Sequence, residues 1–240
     1  MPRTPDAVRP PGTVRPPAAP QAQDARTVRR LRLGIGLLGS LLPIVLPVGN
    51  SLTSARIALL SSMSASYYTS MRNVFVGGLC AIGVFLICYR HDRREDRLSS
   101  VAGVLAIGVA LFPTEPPDSV TAHPSGAQTA VGTVHLGFAA GLFGVLAYFC
   151  LRLFADSPAE GGRRPARDLV YLVCGWVIVA AVGAVAVAGV LHLARDWPLT
   201  VPYLGEAVAV LAFGVAWLVK SEALAGPAPR PAGRAAPAGP

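Results

Sequence analysis

Lysine is almost missing from this chain: Lys220 is the only one among 21 basic residues, the rest being arginine. Charge of any kind is scarce at 14%, against roughly 25% in ordinary globular domains. A deficit of that size argues against a soluble domain, because each charge near a bilayer centre costs a few kcal/mol and lipid-facing helices must do without it. The four cysteines (Cys80, Cys88, Cys150, Cys174) lie inside apolar runs and none forms C-x-x-C. That argues against a disulfide framework or zinc site and leaves them as small buried hydrophobes. No Walker lysine and no H-E-x-x-H or H-x-x-x-H spacing occurs, and no G-x-G-x-x-G opens a helix after a strand. No cofactor or metal is therefore expected, although Glu115, Asp118, His123 and His135 supply scattered ligand-type side chains. No charged residue falls at the middle of an apolar run, which argues against an ion-coupled transporter.

What is present is hydrophobic surface, 52% of 240 residues, with a mean hydropathy of +0.51. The formal charge of +8 does not point to nucleic acid, since the arginines stand in short clusters beside apolar runs, as topology determinants do. Heavy use of Ala, Gly, Pro and Arg suggests a GC-rich bacterial source.

The pattern predicts an all-α integral membrane protein, a bundle of six transmembrane helices with disordered N- and C-terminal tails. Residues 1–28 and 223–240 are rich in Pro, Ala and Arg and too poor in large apolar side chains to offset their ordering entropy. Between them, residues 29–222 hold spans at about 33–48, 74–89, 98–114, 130–153, 169–192 and 203–219. Pro43 and Pro47, four residues apart, predict a kink or early end in the first span. Leu52, Arg56, Leu59, Leu60 and Met63 fit helical spacing and suggest a segment along the interface. Arg90 to Arg97 reads as a tight charged loop.

With the N-terminus inside, every basic residue but Arg56, Arg72 and Arg195 falls on the cytoplasmic side. That asymmetry places both termini in the cytoplasm of a plasma-membrane protein. Gly137 and Gly141 form G-x-x-x-G, while Ala102, Ala106, Ala110 and Ala180, Ala184, Ala188 form small stripes. These faces suit close helix packing or association with a second copy, a homo-oligomer.

Polar residues collect at the outer end. Glu206 precedes an apolar run, Ala207–Val219, that covers only about 20 Å. It must lie about a turn inside the membrane boundary, where a carboxylate needs a partner, and Arg72 is the natural counter-charge. His135 opens the fourth span. Ser64, Tyr67 and Tyr68 supply a hydroxyl and an aromatic pair, and the Arg72 guanidinium suits an oxyanion such as a lipid phosphate. Ser64, Tyr67, Tyr68, Arg72, His135 and Glu206 are thus the candidate ligand-binding residues. No catalytic residue is assigned. A serine nucleophile would need His135 or His123 beside it, which spacing alone does not show.

The serine-rich outer segment leading into a span resembles the Frag/DRAM/Sfk family of six-span membrane proteins. So do Ala106-Ile107-Gly108-Val109-Ala110-Leu111-Phe112-Pro113-Thr114, Val134-His135 and Gly205-Glu206. The runs Ser64-Ala65-Ser66-Tyr67-Tyr68-Thr69, Arg72-Asn73-Val74-Phe75-Val76-Gly77 and Ala212-Phe213-Gly214-Val215-Ala216-Trp217-Leu218-Val219-Lys220 are similar to an uncharacterised bacterial branch known as a domain of unknown function. The resemblance covers about residues 33–222. Ala65-Ser66 stands where the outer motif carries an acid after its serine. The resemblance implies the six-span fold and a lipid-related role. The leading expectation is a non-enzymatic protein that binds or organises membrane lipids or a partner protein. An intramembrane lipid hydrolase and a small-solute transporter are the rivals.

Overall fold

The computed structural model describes residues 19–54, 60–90, 93–155, 166–191 and 200–222. Every regular element among them is helical. Six helices follow in order: α1 (Ala19–Thr53), α2 (Arg72–Cys88), α3 (Arg93–Leu111), α4 (Gly126–Tyr148), α5 (Ala166–Val190) and α6 (Val201–Lys220). A 3-10 turn (Ser64–Tyr68) precedes α2, and a π-helical turn (Phe149–Phe154) continues α4. Four segments are long and apolar enough to cross a membrane: Arg26–Thr53, Gly126–Phe154, Ala166–Val190 and Val201–Lys220. The chain thus has the make-up of a membrane protein. Helix α2 is apolar but shorter, and α3 opens on five charged residues.

Each helix packs on its successor, and α6 returns to α1. Contacts at both ends show the pairs to be antiparallel. A Cβ placed on Gly34 would meet Phe85, while one on Gly49 would meet Met71. On the other side of α1, Arg29 lies beside Ser221 and Pro43 beside Tyr203. Glycine makes the closest approaches possible. A Cβ on Gly83 would stand 2.8 Å from the Gly103 carbonyl oxygen, and one on Gly39 would stand 3.3 Å from Gly214 Cα. Association of apolar helices depends on such contacts, since lipid tails are as apolar as the side chains.

Local chemistry sets the helix starts. Ser125 and Gln128 form a reciprocal capping box on α4, and Thr200 caps α6 through the Tyr203 N–H, with Pro202 in the first turn. Both devices satisfy amides that a helix leaves unpaired. The π turn brings Phe149 and Phe154 to 5.5 Å between ring centroids, and both touch Trp217. A wider turn with i→i+5 bonding makes that shared direction possible.

Several expected boundaries move. Helix α1 begins at Ala19, inside the expected tail, and runs through Pro43 and Pro47 to Thr53. The prolines do not end it, because packing on α2 and α6 outweighs two lost backbone bonds. Arg93 to Arg97 is not a loop but the start of α3, where Glu95 and Asp96 suit the positive end of the helix dipole. Leu60 and Met63 enter the core instead of lying along an interface. Arg56, Leu59, His192, Arg195 and the tails 1–18 and 223–240 lie outside the described residues.

Candidate functional site

The 3-10 turn between α1 and α2 carries three of the candidate residues and reaches two distant helices. Ser64 sits buried at its start. Its Oγ lies 3.1 Å from His135 Nε2 on α4, and its backbone N–H donates to Glu206 Oε2 on α6 at 3.2 Å. The other imidazole nitrogen, Nδ1, is 2.6 Å from the Phe112 carbonyl oxygen at the end of α3. A carbonyl only accepts, so a neutral His135 carries its proton on Nδ1. Nε2 is then the acceptor, and the Ser64 hydroxyl donates to it. One turn of chain thereby joins α3, α4 and α6. Thr200 Oγ1 adds a bond to the Ser61 carbonyl, which ties the cap of α6 to the same segment.

Tyr67 and Arg72 form a second, more open part. The Arg72 guanidinium donates to the Tyr67 hydroxyl at 2.5 Å, and its carbon lies 4.1 Å from that ring's centroid. Tyr68 turns the other way, stacking edge-on to Tyr67 at 5.4 Å and donating to the Thr114 carbonyl at 2.7 Å. Burial, with the neighbouring Tyr67 phenol next, raises the Tyr68 pKa above its ordinary value.

Ser64, His135 and Glu206 therefore meet, and Tyr67, Tyr68 and Arg72 border them. The expected Arg72–Glu206 pair does not form among the described residues. Arg72 is exposed and engaged with Tyr67, whereas Glu206 is held by Ser64. The ring order explains this, since α1 stands between α2 and α6. Glu115 accepts from Thr129, and no metal-type cluster occurs among the described residues.

Sequence reasoning missed the polar network at the opposite end. Arg32 Nη2 and Nε donate to the Tyr89 hydroxyl at 2.7 and 3.1 Å, and that hydroxyl donates to Glu95 Oε2 at 2.7 Å. Lys220 Nζ pairs with Glu95 Oε1 at 3.3 Å and lies 4.6 Å from the Phe154 ring centroid. Arg29 and Arg32 donate to the Ser221 and Lys220 carbonyls, so α1 closes the C-terminal end of α6. Asp168, in the first turn of α5, is fully buried. Among the described residues neither of its oxygens is hydrogen-bonded, and Arg167 lies 3.8 Å away. Lys220, as the only lysine, was the one available signal. Glu95 was hidden within a charged run.

The Ser64–His135–Glu206 cluster can hold a polar group or, through the Ser64 hydroxyl and the His135 lone pair, support attack on a carbonyl. No protein-family model, curated protein or solved structure matches the chain.

Proposed function

We propose that this chain is a six-span plasma-membrane protein with both termini cytoplasmic, which binds a lipid headgroup without transforming it. Helix lengths support the count. The 17 residues of α2 measure about 26 Å, near the roughly 30 Å hydrocarbon core, and α3 is about 28 Å long in all, its five leading charges lying at the boundary. Both helices also pack between α1 and α4. The arginines support the orientation, with those at the α2–α3 turn, Arg152 and Arg167 toward one end and the Ser64 turn at the other.

The observation that carries the binding reading is the meeting of the Ser64 cluster with an exposed guanidinium in one short turn. Arg72, stacked on Tyr67, offers charge to a phosphate or carboxylate at the outer headgroup level. Ser64, His135 and Glu206 offer donors and acceptors just inside. Non-enzymatic binding is favoured because a carbonyl, and not a carboxylate, backs His135. The Ser64 N–H, the donor nearest a developing oxyanion, is occupied by Glu206. The lipid theme agrees with the Frag/DRAM/Sfk resemblance. Gly137, Ala180 and Ala184 are exposed and provide faces for a homo-oligomer.

A lipid hydrolase is the second reading, favoured by one distance, Ser64 Oγ to His135 Nε2 at 3.1 Å. Ser64 would attack the ester carbonyl, His135 would pass its proton to the departing alcohol, and water would release the acid.

Native mass spectrometry of the purified protein, with identification of co-purified lipids, tests the binding reading against Arg72→Ala and Glu206→Ala. Loss of retained lipid in folded variants supports it, and an unchanged complement in both overturns it. A fluorophosphonate probe decides between the readings: labelling that disappears in Ser64→Ala and His135→Ala selects the hydrolase.

A further inference from the structure

At the end of the bundle away from Ser64, an open groove of about 610 Å³ is lined by Arg90, Arg93, Asp96, Arg97, Ser100 and Val101. A second cavity of about 290 Å³ continues from it along α3, sharing Ser100 and Val101 and adding Val104 and Leu105. The sequence of α3 explains the continuity. Arg93, Arg97 and Val101 recur every four residues, as do Ser100 and Val104, so both sets lie along one side of the helix. From Arg93 to Leu105 that side extends about 18 Å. It begins in guanidinium groups, passes a hydroxyl and ends in branched hydrocarbon.

Charge decides the occupant of the polar end. Among the described residues, three guanidiniums face one carboxylate, that of Asp96. Arg93 and Arg97 are exposed and form no ion pair among the described residues. Arg90 uses Nη1 on the Ile87 and Tyr89 carbonyls, at 2.6 and 2.9 Å, which fixes its position without neutralising it. The Ser100 hydroxyl is spent on the Asp96 carbonyl at 2.8 Å, so it adds no competing donor. The apolar end is equally open: Val101 is 48% and Val104 58% exposed. A soluble anion would leave that slot empty, a lipid without a phosphate would leave the guanidiniums unpaired, and a zwitterionic headgroup would bring a cation up against them.

We propose that this groove binds one phospholipid with a net negative headgroup, the phosphate on Arg93 and Arg97 and an acyl chain along Val101, Val104 and Leu105. The site is separate from the Ser64 cluster and rests only on the chain being embedded in a membrane. Two juxtamembrane arginines, each worth about 1 kcal/mol toward an anionic surface, give a preference of about thirtyfold.

The test uses the full-length protein in nanodiscs containing equal amounts of phosphatidylglycerol and phosphatidylcholine with matched chains. Native mass spectrometry then reads the lipid that remains bound after release. Wild type is expected to retain phosphatidylglycerol, with the preference lost in Arg93→Gln/Arg97→Gln and kept in Arg72→Ala. Val104→Trp, which fills the slot, is expected to weaken retention while the preference for charge persists. Unchanged thermal unfolding establishes that the variants fold, and because Arg93, Arg97 and Val104 are exposed their replacement leaves the core intact. A preference unaltered in Arg93→Gln/Arg97→Gln overturns the proposal. So does displacement of the lipid by millimolar inorganic phosphate, which would make the site one for a free anion. If Arg72→Ala abolishes the preference instead, the lipid belongs to the Ser64 end and the groove is not its site.

Discussion

The Tyr203 hydroxyl on α6 donates to the Pro43 carbonyl of α1 at 2.6 Å, where both are buried. In a regular helix that carbonyl would accept from residue 47, but Pro47 has no N–H. The tyrosine supplies the missing donor, which explains how α1 crosses this point without ending.

Replacing Tyr203 by Phe is therefore expected to destabilise the protein by about 1–3 kcal/mol, the range for stranding a buried acceptor. Pro47→Ala restores a backbone donor, so Tyr203→Phe should cost distinctly less in that background. Unfolding in detergent measures both. Equal costs in the two backgrounds would show that the hydroxyl does not substitute for the proline.

The bond between Ser64 and His135 should be visible as coupling. Ser64→Ala and His135→Ala are each expected to lose about 1–3 kcal/mol. The double variant should fall short of the sum by 0.5 kcal/mol or more, roughly the threshold for contacting groups. Strict additivity would mean that the two side chains do not depend on each other.

At the other end, Lys220→Met removes one partner of Glu95, which keeps the Tyr89 hydroxyl, and is expected to cost about 1–3 kcal/mol. Glu95→Gln in the same chain removes the charge that the lysine had balanced and should recover part of that loss. If the double variant is less stable than Lys220→Met, the Glu95 carboxylate is held by its other partners and not by the lysine.

Tyr68 carries a pH dependence with a definite sign. Its folded pKa is raised, first by burial, so its contribution is complete below the unfolded value near 10 and is lost as pH rises through the folded value. Wild type should lose stability between about pH 9 and pH 11 more steeply than Tyr68→Phe. Parallel profiles would remove Tyr68 as the source.

Composition made the helical class legible, because a chain so short of charge and so rich in apolar runs has few other solutions. Glu206 was legible from length alone, since the apolar run after it is too short to cross. Its partner was not: helix order in the ring, which no local pattern encodes, keeps Arg72 away and brings Ser64 close. The meeting of Ser64 with His135 spans 71 residues and depends on a 3-10 turn that propensities do not announce. Glu95 and Asp96 looked like loop charges because the first turn of a helix favours the same residues. Pro43 and Pro47 misled for a related reason, since the group that compensates Pro47 lies on α6, 160 residues from Pro43.

The six-span arrangement, and the outer-leaflet site with it, requires that the Ser64 turn and the arginine-rich α2–α3 turn lie on opposite faces of the membrane. In a chain with its four cysteines replaced by alanine, Ser70→Cys, His123→Cys and Arg93→Cys can each be labelled with a membrane-impermeant maleimide in intact cells. Labelling at positions 70 and 123, with position 93 reactive only after permeabilisation, is the predicted result. Labelling of position 93 in intact cells, or of positions 70 and 123 on different sides, would contradict the six-span arrangement and the outer-leaflet site with it.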